Sequence, residues 1–375
     1  MVESQSESLA ETPLAALHRE LGGRMVGFAG YALPVQYPAG IMAEHLHCRS
    51  AAALFDVSHM GQAELRGEGA AAALEALTPA DVAGLKPGRQ RYGLLTSASG
   101  GILDDFMFAN LGDRIFLVVN ASRKEHDFGH IAAHLPQGVT LHRHEDRALL
   151  ALQGPGAVPA LATLAPGVAA FSFMGIGSFD IGGVNAIISR SGYTGEDGVE
   201  ISVPADQAEA FARRLLALPG VMPAGLGARD SLRLEAGLCL YGSDIDETTS
   251  AVEAGLVWSI GKRRRIGGGF AGAERIQREL RDGPARKRIG LLLEGRQPAR
   301  EGAQITTTDG EIVGVVTSGS FAPSLERCIA MGYVAIAHAA PGTNLEAEVR
   351  GKRVPVTVTT LPFVPHHYHR KGAAQ

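Results

Sequence analysis

The hydrophobic pattern of the chain changes once, at Gly283-Pro284, and that change limits the folds open to it. Beyond it, Arg288 to Glu294, Ala303 to Thr307, Glu311 to Thr317, Cys328 to Ile336, Leu345 to Arg350 and Val354 to Thr360 are short strand-like runs separated by turn residues. No segment there has helical spacing, so this part reads as a small all-β module, a barrel or a sandwich. Before it, strands and helices alternate, which predicts an α/β or α+β body. The boundary predicts a body over residues 1–284 and a second domain over residues 285–375, within the two or three domains expected of 375 residues.

Within the body, Thr12-Pro13 predicts an N-cap followed by a helix carrying Leu14, Leu17 and Leu21. Ala71 to Leu77 and Arg123 to His134 read as helices, and Asp206 to Leu218 as an amphipathic one. Ile115 to Val119, Leu149 to Leu152, Val184 to Ser189 and Val199 to Val203 read as strands. Ala148 to Phe179 has no charge, but Pro155, Pro159 and Pro166 break it, so it is not a membrane span.

The formal charge of −4 excludes a broad nucleic-acid surface. Cys48, Cys239 and Cys328 are odd in number and far apart, which predicts a reducing compartment and no disulfide framework. Met1 to Thr12 holds Glu3, Glu7 and Glu11 and no basic residue, unlike a signal or transit peptide, so a cytoplasmic location is expected. The 48 glycines are nearly twice the usual share of about 7%.

Three segments carry candidate chemistry. In Gly100 to Phe108, Asp104 and Asp105 are adjacent on a predicted strand and face opposite ways. One can point inward, where a carboxylate is costly unless paired or functional, or the two can serve the Gly100-Gly101 turn. In Ser191 to Glu200, Tyr193 offers an aromatic wall and Glu200 an acceptor for N–H groups of a planar heterocycle, or the segment is a solvated acidic turn. In Gly225 to Glu235, Arg229 opens a helix against its dipole, which suits an anionic or carbonyl-bearing partner or a bridge to a nearby aspartate. The Gly225 and Gly227 pair is too incomplete for a dinucleotide site.

His45 and His47, at strand spacing, and His366, His367 and His369 read as structural or solvent-facing, so no metal site is expected. Trp258 reads first as a core residue and second as a pocket wall. Lys262 to Arg265 is either a solvated run or a patch for an acidic partner.

These segments lie in an order that resembles the aminomethyltransferase (T-protein) family of the glycine cleavage system. The resemblance rests on Phe28 to Tyr37, Leu54 to Gly61, Gly100 to Asp105, Leu152 to Pro155, Gly192 to Glu200 and Gly227 to Asp230. Glu253 to Trp258, Val316 to Gly319 with Pro323 to Leu325, and Pro362 to Pro365 continue it. It implies an α+β fold, with two interleaved lobes of mixed α/β structure around a central folate cavity and a C-terminal β-barrel. It also implies transfer of the aminomethyl carbon from the lipoyl arm of a partner H-protein to tetrahydrofolate, with ammonia released. No metal, membrane or nucleic acid is implied.

Carried onto this sequence, Asp105 is the catalytic carboxylate, orienting folate, stabilising positive charge on an iminium-like intermediate and accepting a proton. Glu200 and Arg229 bind the pterin, with Tyr193 and Trp258 beside the ring. Met60, Tyr92, Asn120, Phe173 and Tyr368 are further pocket positions. Glycines of the three segments are expected to let backbone approach the ring. Ala109 stands where some relatives carry tyrosine, and Cys48 and Cys328 also depart from the family pattern. Two rival functions share the fold: a folate-dependent demethylase of a small methylated substrate, and a folate-binding regulatory protein without catalysis. The full Thr194-Gly-Glu-Asp-Gly198 loop with the Trp258 segment argues against the first, and retention of Asp105 with Glu200 and Arg229 against the second.

Overall fold

The computed structural model describes residues 9–370; Glu3 and Glu7 lie outside them. Two large sheets make the body. One has five antiparallel strands, with Ile102–Asn110 between Arg89–Thr96 and Ile115–Val119, then Gly61–Arg66 and Thr140–Arg143. The other has six, with Arg147–Gln153 between Gly198–Pro204 and Ala52–Asp56. Three apolar layers result. Helices Ala70–Ala76 and Lys124–Ala133 pack on the first sheet through Leu74, Phe128 and Ile131. Helices Ala157–Ala162 and Ala208–Leu216 pack on the second through Leu161, Phe211 and Leu215. Between the sheets lie Phe55, Phe116, Val118 and Ile187.

Beyond Gly283, six strands from Arg286–Leu293 to Lys352–Thr359 close into a barrel around Leu291, Ile305, Ala330 and Val358. Closure leaves no unpaired sheet edge, and all six predicted strand runs take part. Cys48 and Cys328 are buried in apolar layers, and Ala109 fills the layer between the sheets.

Two local expectations fail. Thr12 does not cap the first helix, Ala15–Glu20; its Oγ1 donates to Asp56 at 2.6 Å, a buried carboxylate that also takes His18 Nε2 at 2.8 Å. A buried acid outcompetes an exposed helix end for a hydroxyl. His45 and His47 are not on a strand but on the helix Ile41–Ser50, whose polar residues hide its period.

That helix is tied to the barrel by Glu235, which is fully buried on the helix Leu226–Glu235. Its carboxylate takes Arg49 Nη2 at 2.8 Å, His45 Nε2 at 3.1 Å and the Ser324 backbone N–H at 2.8 Å. Despite burial, these partners hold it down to about 2. A depressed carboxylate stabilises the fold above its unfolded value and loses that stabilisation as pH falls from about 4.5 toward 2. Glu235→Ala leaves Arg49 Nη2 and the Ser324 N–H without this acceptor in a buried site, and a stability loss of about 3 kcal/mol is expected by denaturant titration. A loss below about 1 kcal/mol would show that the network is incidental.

Candidate functional site

The pleat of the strand Ile102–Asn110 sends Asp104 and Asp105 to opposite faces. Asp104 shares its face with Phe106 and Phe108, in the layer beneath the helices. Asp105 shares its face with Met107 and Ala109, toward the space between the sheets. Neither serves the turn: Ser97 closes it, its carbonyl accepting Gly100 N–H at 2.9 Å and its Oγ accepting Gly101 N–H at 3.1 Å.

Asn120, at the end of the strand Ile115–Val119, holds both acids. Its Nδ2 donates to Asp105 Oδ1 at 2.8 Å and to Asp104 Oδ1 at 2.9 Å. The Tyr92 hydroxyl, close to Asp105, favours its charged form. Burial, followed by the neighbouring Asp104, pushes Asp105 up to about 7. It can therefore exchange a proton near neutral pH. Trp258 is not in the core: it is 62% exposed, with its ring 5.2 Å from Tyr92. It covers the tyrosine from outside, and the apolar neighbours of its segment fill the layer that hosts Tyr92.

The Ser191 to Glu200 segment is not a solvated turn. Gln153 fixes it from within, donating from Nε2 to Ser191 O at 2.9 Å and accepting Thr194 Oγ1 at 2.9 Å. A Cβ at Gly192 would come within 1.8 Å of Gln153 Oε1, and one at Gly101 within 1.7 Å of Glu247 O. At these positions the absence of a side chain serves protein packing, not the approach of backbone to a ring. Glu196 pairs with Arg49 and His367, both at 2.9 Å, and Asp197 takes Arg190 Nε at 2.9 Å. Glu200 has no cation in contact; it accepts Ser191 Oγ at 2.9 Å.

Opposite stands Arg229. Its guanidinium lies 4.7 Å over the Tyr193 ring, whose hydroxyl donates to Cys239 O. Nη1 of Arg229 is buried without a hydrogen-bond partner. Burial lowers its pKa, against the attraction of Glu200. The bridge to a nearby aspartate is absent, because Arg233 takes Asp230 at 2.8 Å and Asp244 at 2.7 Å. An unused buried donor costs free energy unless something accepts it. Arg229 and Glu200 together offer a donor and an acceptor, with Tyr193 as an aromatic wall. That set suits a flat heterocycle bearing a carbonyl and an amino edge.

Phe173 and Tyr368 stack at 4.0 Å with planes 7° apart. The terminal segment reaches them because Phe173 N–H donates to His369 O at 2.7 Å and His367 N–H to Gly195 O at 2.8 Å. Met60 lies apart. It lines a cleft with Tyr31, Lys124 and Arg147, whereas Arg229 borders another with Leu33, Phe55 and Asp56. Among the described residues, no group of three or more His, Cys, Asp or Glu side chains is arranged to hold a metal ion.

Lys262 and Arg263 of the basic run are exposed, while its arginines also bind within the protein. Arg263 pairs with Asp81 at 2.7 Å and with Glu75, and Arg264 donates to Glu75 O at 2.7 Å. Arg265 donates to Val257 O at 2.7 Å, so these arginines secure the loop that carries Trp258. One residue escaped the sequence reading. His59 is buried, its Nδ1 has no partner, and burial with the nearby Arg229 lowers it to about 4. Its only signal was a lone imidazole after Leu54-Phe55-Asp56-Val57.

Residues 14–264 match the GCVT N-terminal domain, and residues 286–365 the glycine cleavage T-protein C-terminal barrel domain. The chain is similar to the mitochondrial aminomethyltransferase of Gallus gallus, at 48% identity over 98% of this chain and 96% of that one. A probable mitochondrial aminomethyltransferase of Schizosaccharomyces pombe is 46% identical over 97% and 95%. The crystal structure of glycine cleavage system aminomethyltransferase T from Bartonella henselae superposes with a TM-score of 0.92, at 42% identity, covering 97% of this chain and all of that one.

Proposed function

The chain belongs to the aminomethyltransferase, or T-protein, family of the glycine cleavage system, and from that premise we propose how its own residues carry the reaction. In the reaction proposed, the carbon–sulfur bond of an aminomethyl-lipoyl arm on an H-protein breaks. The carbon–nitrogen bond breaks as well, and the carbon passes to two nitrogens of tetrahydrofolate as the 5,10-methylene form; of the two N–H protons those nitrogens give up, one ends on the sulfur, as dihydrolipoyl, and one on the amine, which leaves as ammonia.

Arg229 and Glu200 hold the pterin edge, and Tyr193 and Trp258 flank its ring. Phe173 and Tyr368 border the rest of the folate, and Met60 the inner wall beside Lys124. Bound tetrahydrofolate supplies the nitrogens that accept the carbon. Asp105, fixed by Asn120 and Tyr92, presents one oxygen to those nitrogens, stabilises positive charge formed there and takes up a proton. The observation that carries this reading is the buried Arg229 Nη1, which has no partner among the described residues and lies within the attraction of Glu200.

The partners in this reading are the lipoylated H-protein and tetrahydrofolate, without metal, nucleic acid or membrane. No described helix is long and apolar enough to cross a membrane. A division into residues 1–284 and 285–375 is part of the same proposal, supported by barrel strands that begin at Arg286. So is a cytoplasmic setting, supported by three free, buried cysteines; the same cysteines suit the mitochondrial setting printed in the relatives' names.

Trp258 is the chain's one tryptophan and provides a direct test. Tetrahydrofolate is expected to change its fluorescence saturably in the wild type. In Tyr368→Ala, with one aromatic face lost, the apparent Kd is expected to rise about tenfold, or ~1.4 kcal/mol. A wild-type titration with no saturable change would remove Trp258 from the site, and an unchanged Kd in Tyr368→Ala would remove the tail.

A further inference from the structure

Asp104 has no part in the chemistry above, yet it is fully buried beside it. Its Oδ1 accepts Asn120 Nδ2, the same nitrogen that holds Asp105. Asp127, on the helix Lys124–Ala133 that packs over this face of the sheet, is also fully buried. The two carboxyl groups act on each other, Asp127 raising Asp104 and Asp104 lowering Asp127. Neither Asp104 Oδ2 nor Asp127 Oδ2 receives an N–H or O–H from any other described group. Two neighbouring carboxyl groups, each with a buried oxygen that no donor satisfies, are satisfied together by one proton held between them.

The surroundings decide which acid keeps that proton. On the helix side, His126 Nδ1 approaches Asp127 Oδ1 at 3.1 Å, and Arg123 attracts its charge while pairing with Glu247 at 3.3 Å. Tyr241, under the Arg123 guanidinium at 5.3 Å, donates its hydroxyl to Ile102 O at 3.2 Å. On the strand side stand Asp105 and, beyond it, Tyr92. The guanidinium is thus on the Asp127 side, and a competing carboxylate is on the Asp104 side. Burial and Asp127 push Asp104 up to about 9, whereas Asp127, eased by Arg123, rises only to about 6.

We propose that Asp104 and Asp127 share one proton, held on Asp104, and that this neutral carboxyl positions Asn120 and leaves Asp105 as the only one of the two adjacent acids to carry charge. Asp104 and Asp127 are then positioning residues, and the proposal rests on the catalytic reading of Asp105.

The test pairs two amides that look alike and should behave differently. In Asp104→Asn, the new amide donates to Asp127 and its oxygen accepts from Asn120, which copies the protonated acid. Its kcat is expected within about threefold of wild type, with the same pH profile. In Asp127→Asn, the new amide donates to Asp104 and lets it ionise, so the acidic limb of kcat should move up by about one pH unit. A purely structural role would lower kcat equally at every pH. Carboxyl-carbon NMR of aspartate-labelled protein gives a readout free of turnover. One aspartate is expected to stay protonated in wild type near pH 8 and none in either variant. Absence of that signal in wild type, or an Asp104→Asn loss as large as that of Asp105→Asn, would overturn the proposal. If instead Asp105→Asn turned over normally, the catalytic reading would fail while the NMR signal still decided the shared proton.

Discussion

Asp105→Asn is expected to lower kcat by about 1,000-fold while tetrahydrofolate binds within about threefold of wild type. The asparagine keeps the shape of the carboxylate and still accepts from Asn120. It can neither take a proton nor oppose positive charge. The same substitution should make the enzyme more stable. Asp105 titrates near 7 in the folded protein, well above an unfolded aspartate. The folded state therefore holds the extra proton between pH values of about 4 and 7, and stability falls as pH rises through that window. Removing the charge should stabilise the fold by about 1 kcal/mol above neutrality, an activity-for-stability exchange read by thermal denaturation at two pH values. A destabilised variant with much activity left would place Asp105 in the framework and not in the chemistry.

Arg229→Met should act on binding instead. The loss of a charge-assisted hydrogen bond to the pterin is expected to weaken tetrahydrofolate about 100-fold, close to 3 kcal/mol. Stability without ligand should hold or rise, because the guanidinium is buried with an unpartnered nitrogen. Glu200→Gln should weaken binding as well. The double variant should lose less than the sum of the two, since both contact one ring edge. Additive losses would mean that the two side chains do not share a ligand.

The barrel was legible because its strands are short, largely apolar runs bounded by turn residues, so local sequence carried the information. The helix Ile41–Ser50 was not. Its buried positions are Glu44, His45 and Cys48, and no apolar stripe records a helix that packs through ion pairs. Asp105, Glu200 and Arg229 stood out as charges among apolar or glycine-rich neighbours. The partners of each did not, because they depend on the sheet register that sets Asn120 between two aspartates and on Gln153 pinning a distant loop. The glycines misled in part: the side chains they make room for are Gln153 and the backbone of Glu247, both remote in sequence. Trp258 misled for a related reason, since its exposure is set by Arg264 and Arg265 anchoring the following turn.

The most direct test of the account is a single-turnover reaction of the protein with aminomethyl-loaded, lipoylated H-protein, with and without tetrahydrofolate. Ammonia and methylene-tetrahydrofolate are expected in equal amounts, matching the aminomethyl groups consumed, with release of ammonia far slower when tetrahydrofolate is left out. Equal ammonia release in both mixtures, or demethylation of a small methylated substrate in place of any reaction with the loaded H-protein, would contradict it.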